Sequence, residues 1–102
     1  MSRVTVQPSG IVFEVPDGET IFDAARAAGY WWPTSCGGKG ECTNCAGLIL
    51  RGMDNLSAMG RYEELNLVRQ RGRSATSQPV RLCCQARVHG DVEVQKPGVR
   101  PW

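Results

Sequence analysis

The stretch CGGKGECTNC, residues 36–45, carries three of the five cysteines in a chain of 102 residues. Five residues separate Cys36 from Cys42 and two separate Cys42 from Cys45, so three thiols converge on one small volume. Thiolates held this close repel one another unless a cation neutralises them, and soft sulfur ligands select zinc or iron–sulfur clusters over hard ions. The spacing therefore predicts a metal centre.

Three glycines in the same stretch help to distinguish the two kinds of metal centre. Gly37, Gly38 and Gly40 can adopt backbone angles closed to other residues, so the loop can turn several N–H groups inward. A four-thiolate iron–sulfur cluster needs such donors for its anionic sulfides, whereas a zinc ion needs far fewer. The glycines favour an iron–sulfur cluster, and a structural four-cysteine zinc interaction module is the alternative.

The fourth ligand is sought in VRLCCQA, residues 80–86, where two cysteines are adjacent. We expect a β-strand here, and in a strand alternate side chains share one face. Cys84 is in phase with the apolar set that includes Leu82, whereas Cys83 is in phase with the polar set that includes Arg81. This phase predicts Cys84 as the fourth ligand and Cys83 as an outward-facing residue without function.

The composition excludes several other classes of protein. Disulfides are disfavoured because the number of cysteines is odd and the N-terminus lacks the layout of a secretory leader. No apolar run reaches the length of about eighteen residues that a membrane span needs, so we expect a soluble, cytoplasmic protein. A net charge of +2, with aromatic residues not interleaved with Lys or Arg, predicts no nucleic-acid surface. The length predicts one domain, residues 1–102, and we expect a monomer.

The N-terminal third predicts a β-hairpin followed by a helix. Residues 3–15 alternate between apolar and polar side chains in two short strands joined by the turn-forming QPSG. The helix begins after Thr20, which forms a capping-box-like start with Asp23, and it ends at Gly29. Its face of small apolar residues should pack closely on a sheet. The predicted face consists of Ile21, Ala24, Ala25 and Ala28.

The remaining segments complete a mixed sheet. Residues 31–45 are predicted as an irregular loop, and residues 61–72 as a second, short helix that turns Tyr62, Leu65 and Val68 inward. The further predicted strands are residues 46–52, 79–88 and 92–94, the last two joined by a turn at HGD. This order of hairpin, helix, cysteine loop, strand, short helix and closing strands predicts an α+β fold of the β-grasp type.

The cysteine loop and RLCCQ, residues 81–85, together resemble the [2Fe-2S] ferredoxin family of β-grasp electron carriers. In that family a segment similar to R-L-x-C-Q supplies the last ligand, which falls on Cys84. The resemblance spans nearly the whole chain, and it implies a one-electron carrier that is not itself an enzyme. It also implies a [2Fe-2S] cluster whose ligands are Cys36, Cys42, Cys45 and Cys84.

Two departures from the family pattern bear on the partners. Plant-type ferredoxins have about four residues between the first two ligands, and this chain has five. The longer spacing resembles ferredoxins that serve haem-thiolate monooxygenases or ring-hydroxylating oxygenases, although ferredoxins of cluster assembly share it. We therefore expect transient docking with a flavin-dependent reductase and a terminal oxygenase, with cluster assembly as the alternative.

The second departure is charge. Many carriers of this family are strongly acidic, whereas this chain is slightly basic. Several arginines gather around the second predicted helix, namely Arg61, Arg69, Arg71 and Arg73. This distribution predicts a partner with an acidic or largely apolar docking face.

Overall fold

The computed structural model describes residues 2–33, 46–72 and 79–101, apart from the side chains of Gln70 and Arg71. The strands are β1 (Ser2–Gln7), β2 (Ile11–Val15), β3 (Tyr30–Trp31), β4 (Ala46–Arg51), β5 (Val80–Leu82), β6 (Val92–Gln95) and β7 (Arg100–Pro101). The helices are α1 (Ile21–Ala27) and α2 (Arg61–Arg71), with a short 3-10 helix at Met53–Asn55. No helix in these three ranges is both long and apolar enough to cross a membrane.

The main sheet is mixed, as predicted. Its strand order is β2-β1-β6-β4-β5 among the described residues. β1 pairs antiparallel with β2 and parallel with β6, while β4 pairs antiparallel with both β5 and β6. This sheet, together with the two helices, confirms the α+β, β-grasp prediction.

The predicted N-terminal hairpin is confirmed and supplies much of the core. β1 turns Val4 and Val6 inward, and β2 turns Phe13 and Val15 inward, which is the alternation that the sequence displays. All of these side chains belong to the same buried cluster as the inner face of α1. The hairpin and α1 therefore form one packed unit.

α1 begins and ends close to the predicted positions. The Thr20 hydroxyl accepts a hydrogen bond of 3.1 Å from the backbone N–H of Asp23, which caps the helix. The buried residues are Ile21, Phe22, Ala24 and Ala25. Ala28, which was predicted on the buried face, is exposed because it lies at the C-cap, where the helix ends. Phe22 takes its place in the core.

α2 does not present the predicted face to the core. Tyr62 and Leu65 were expected to point inward, but their exposed fractions are 49% and 51%. Among the side chains of α2 that the structure describes, those of Glu63, Asn66 and Leu67 are buried and that of Val68, the third residue expected to point inward, is half-buried. The spacing of apolar residues did not predict this orientation, because a charged residue, Glu63, lies on the buried face of the helix.

A second, two-stranded sheet was not predicted. β3 overlaps the predicted loop only at Trp31, the first residue of that loop, and it pairs antiparallel with β7. Trp32 follows β3 and is buried, while the guanidinium carbon of Arg100 lies 5.0 Å from the ring centre of Trp31. The C-terminal strand therefore holds the segment that leads into the cysteine loop.

Candidate metal centre

The adjacent cysteines lie in a tight turn that directly follows β5. β5 ends at Leu82, whose carbonyl oxygen accepts hydrogen bonds of 2.9 Å from the N–H groups of Gln85 and Ala86. Cys83 has an exposed fraction of 0% and Cys84 one of 6%. Both thiols therefore lie inside the protein.

This geometry corrects the strand-phase argument. A strand through residues 79–88 would have placed Cys83 and Arg81 on an outward face, but both residues are buried. The alternation fails because the backbone leaves the extended conformation after Leu82 to form the turn. The assignment of Cys84 as a ligand therefore depends on its match to the R-L-x-C-Q pattern and on the surroundings of its sulfur.

The two sulfur atoms have different surroundings. Cys84 Sγ lies 3.8 Å from the side-chain amide nitrogen of Gln85, which can donate to it. Cys83 Sγ lies 3.9 Å from the carbonyl oxygen of Arg81, to which a protonated thiol donates. An N–H donor suits a thiolate ligand, and a carbonyl acceptor suits a neutral thiol. The chemistry at Cys84 therefore fits a cluster ligand better than the chemistry at Cys83.

Both helices hold the turn in place. The backbone N–H of Phe22 in α1 donates a hydrogen bond of 2.9 Å to the carbonyl oxygen of Cys83. From α2, the carboxylate of Glu63 accepts a hydrogen bond of 2.8 Å from the backbone N–H of Leu82. The turn is thus fixed on both sides by groups from separate elements.

Glu63 also forms a buried ion pair with Arg81. The Arg81 guanidinium donates to both carboxylate oxygens, at 2.7 Å and 2.9 Å, and a third donor reaches the carbonyl of Ser57 at 2.7 Å. The side chains of Arg81 and Glu63 are only 5% and 3% exposed. Sequence reasoning missed this pair, although Arg81 belongs to the segment that carries the family resemblance.

The other three predicted ligands, Cys36, Cys42 and Cys45, lie outside the described residues. The described residue next to one of them nevertheless lies beside the end of β5, where the turn begins. Ala46, which follows Cys45 in the sequence, pairs with Leu82, two residues before Cys84. The sequence neighbours of two predicted ligands therefore meet at one end of the sheet.

Comparison with known proteins identifies the family. Residues 4–89 match the model of the 2Fe-2S iron–sulfur cluster binding domain. The 2Fe-2S ferredoxin-5 of Aquifex aeolicus is 33% identical over 94 residues, which cover 92% of this chain and 95% of that protein. A solved ISC-like [2Fe-2S] ferredoxin, FdxB of Pseudomonas putida, superposes with a TM-score of 0.73 at 29% identity. The match covers 95% of this chain and 93% of the FdxB chain.

One relative is a longer protein. The reductase component DmpP of phenol 2-monooxygenase from Pseudomonas sp. is 32% identical over 82 residues, which are 80% of this chain but 21% of that component. These similarities decide between the two metals that the sequence left open, in favour of the iron–sulfur cluster over zinc. This chain belongs to the [2Fe-2S] ferredoxin family, and it is an electron-transfer protein with a [2Fe-2S] cluster rather than an enzyme.

Proposed function

We propose that this protein carries single electrons from a flavin-dependent reductase to a terminal oxygenase. The observation that supports this choice of partners is the similarity to the reductase component of phenol 2-monooxygenase. The part of that component that this chain matches belongs to an oxygenase system, so a chain of the same family suits the same kind of electron transfer. The five-residue spacing between Cys36 and Cys42 supports the same choice.

We also propose Cys36, Cys42, Cys45 and Cys84 as the four ligands. When bound, a [2Fe-2S] cluster accepts and releases one electron. The contribution of Cys84 is supported by its burial and by the nearby amide of Gln85, because N–H groups directed at sulfur tune the reduction potential. Burial of the turn keeps water away from the Cys84 sulfur.

The first experiment records the visible absorption of protein purified without air, before and after dithionite is added. We expect a red-brown chromophore that bleaches partly on reduction, with iron and sulfide in equal amounts. A colourless protein that contains zinc would contradict the cluster. Mixing the protein with NAD(P)H-dependent flavin reductases and oxygenases then tests the partners, by measuring product that forms only when all three proteins are present.

Iron–sulfur cluster assembly is the second candidate function. The similarity to an ISC-like ferredoxin over almost the whole of both chains supports it. The two candidates differ in the acceptor of the electron. Support of oxygenase turnover favours the first function, whereas support of cluster formation on a scaffold protein, without oxygenase turnover, favours the second.

The form and location of the protein are further parts of this proposal. We propose one domain over residues 1–102 that acts as a monomer, because a transient electron-transfer encounter needs only a modest interface. A cytoplasmic location suits cysteines that must stay reduced to bind a cluster. Sedimentation of the purified protein and fractionation of cells test these two statements.

A further inference from the structure

Two methionines line one open pocket beside β5. Met53 begins the short 3-10 helix and Met59 lies two residues before α2, and both side chains are half-buried against the core. The pocket has a volume of about 460 Å³ and is also lined by Val80 and Arg81. We call it the methionine pocket. It opens to solvent, so a small molecule dissolved in water can enter it.

The backbone between the two methionines is fastened to the segment that follows the cysteine turn. Ser57 donates its backbone N–H to the carbonyl of Arg87 at 2.8 Å, and its hydroxyl accepts a hydrogen bond of 3.0 Å from the N–H of Arg87. The carbonyl of Asn55 accepts a hydrogen bond of 2.7 Å from the N–H of His89. The position of residues 53–59 therefore affects the chain on the C-terminal side of the two cysteines.

The same segment also holds the residues that precede the turn. The carbonyl of Ser57 accepts a hydrogen bond of 2.7 Å from the guanidinium of Arg81, which lines the methionine pocket. Arg81 in turn pairs with Glu63, whose carboxylate accepts a hydrogen bond from the N–H of Leu82. The packing of the two methionines thus supports the cysteine turn through contacts on both of its sides.

The methionines are more accessible to a dissolved oxidant than the cysteines of the turn. Cys83 and Cys84 are 0% and 6% exposed, whereas Met53 and Met59 are half-buried and line an open pocket. Oxidation of sulfur follows its access to the oxidant, and a thiol must also lose its proton to react, which a thioether need not do. Hydrogen peroxide that enters from solvent therefore meets the two thioethers before it meets these two thiols.

Oxidation changes the packing of the methionine pocket. The thioether sulfur attacks one oxygen of hydrogen peroxide, the O–O bond breaks, and the other oxygen leaves as water after proton transfer. The product, methionine sulfoxide, is polar. Its oxygen lies either among apolar groups, where it costs free energy, or within reach of Arg81, where it competes with the carbonyl of Ser57 for a donor. Both positions weaken the contacts that support the cysteine turn.

We propose that Met53 and Met59 form a reversible oxidation site through which hydrogen peroxide weakens the support of the cysteine turn. Methionine sulfoxide reductases reverse the modification, since two thiols become a disulfide and the sulfoxide oxygen leaves as water. The inference goes beyond the electron-carrier function and does not depend on which partners that function serves. It predicts a cluster-loaded protein that loses stability in peroxide and recovers it by enzymatic reduction.

The test treats the cluster-loaded protein with hydrogen peroxide, with a chelator present to bind free iron, and follows each methionine by peptide mass spectrometry. Met53 and Met59 should each gain one oxygen atom, at rates within about tenfold of those in the urea-unfolded protein. The thermal midpoint of cluster loss, measured by visible absorbance, should fall by about 5–10 °C. Treatment with the two methionine sulfoxide reductases, one for each sulfoxide epimer, should restore it.

The matched control combines Met53→Leu with Met59→Leu. Exchange of methionine for leucine conserves volume and is well tolerated in packed sites, so the double variant should load its cluster. It keeps all five cysteines, and peroxide should leave its midpoint unchanged. The single variants Met53→Leu and Met59→Leu, each with one thioether left in the pocket, should show a smaller fall than the wild type.

Three results would overturn the proposal. Oxidation of both methionines more than about a hundredfold slower in the folded protein than in urea would show that the pocket excludes peroxide. An unchanged midpoint after both methionines are oxidised would show that the modification does not reach the turn. An equal fall in the wild type and the double variant would assign the damage to the cysteines or the cluster, and a fall that the reductases leave in place would remove reversibility.

Discussion

Replacement of Glu63 by glutamine is expected to destabilise the cluster-loaded protein strongly. The carboxylate accepts three hydrogen bonds, two from Arg81 and one from the backbone N–H of Leu82, and the side chain is 3% exposed. The substitution Glu63→Gln keeps the size of the side chain but removes the negative charge, and the NH₂ group of a glutamine cannot accept a hydrogen bond. The buried guanidinium would then lack its counter-charge.

The magnitude follows from burial of both partners. Breaking a buried ion pair by changing one partner costs about 3–5 kcal/mol, because the remaining charge is left uncompensated. In a chain of this size each kcal/mol shifts the thermal midpoint by about 4–8 °C, so a loss of about 3 kcal/mol corresponds to about 12 °C or more.

The assay follows the loss of visible absorbance of the cluster on heating. Glu64→Gln is the matched control, since Glu64 is the next residue of the same helix and is exposed. The control should shift the midpoint by less than about 2 °C, in keeping with the small effect of surface substitutions. If Glu63→Gln gave a midpoint equal to that of the control, the ion pair would not stabilise the turn.

A double variant tests whether the uncompensated charge of Arg81 causes the loss of stability. Glu63→Met combined with Arg81→Met removes both charges, and replacement of a buried ion pair by apolar residues of similar volume is often tolerated. We expect the double variant to be more stable than Glu63→Gln but less stable than the wild type, because the N–H of Leu82 loses its acceptor. A double variant less stable than Glu63→Gln would contradict the uncompensated-charge explanation.

Three further predictions concern the cysteines and the glycines. Cys84→Ser should prevent assembly of the native cluster whereas Cys83→Ser should retain it, as measured by iron and sulfide content and by the visible spectrum; the reverse pattern would refute the ligand assignment. Gly47→Ala should cost about 1–3 kcal/mol in stability because a Cβ there would lie 2.5 Å from a methyl group of β6, and an unchanged thermal midpoint would contradict this. Gly52→Ala should lower the stability further than Gly47→Ala, since Gly52 has a φ of 86° and an added Cβ would meet backbone atoms of Asp91 and Val92. Gly60→Ala is the control for both variants, because an added Cβ there would lie in open space.

The parts of the fold that depend on local pattern could be predicted from the sequence. Alternation of apolar residues predicted the hairpin, and Thr20 with Asp23 predicted the start of α1, because both signals lie within a few neighbouring residues. The cofactor was accessible in part: clustered sulfur ligands limited the metal to zinc or an iron–sulfur cluster, and the resemblance of the cysteine pattern to the [2Fe-2S] ferredoxins implied the cluster. The family comparisons confirm that cofactor.

The errors arose where distant residues decide the structure. The inner face of α2 depends on Glu63 meeting Arg81, a pairing across 18 positions of sequence that no helical periodicity encodes. The end of β5 at Leu82 likewise depends on a turn fixed by both helices. The pairing of Tyr30 and Trp31 in β3 with β7 joins segments that are far apart in the sequence and leaves no local signal in either.

The hydrogen bond from Leu82 to Glu63 has a consequence for self-association. β5 is the last strand of the main sheet in the described structure, and the outer side of such a strand is a template on which a strand of another molecule can pair. Glu63 occupies the N–H of Leu82 that would start such pairing, and it places a carboxylate where an incoming carbonyl would have to lie. The contact that fixes the cysteine turn thus also blocks growth of the sheet from one molecule to the next.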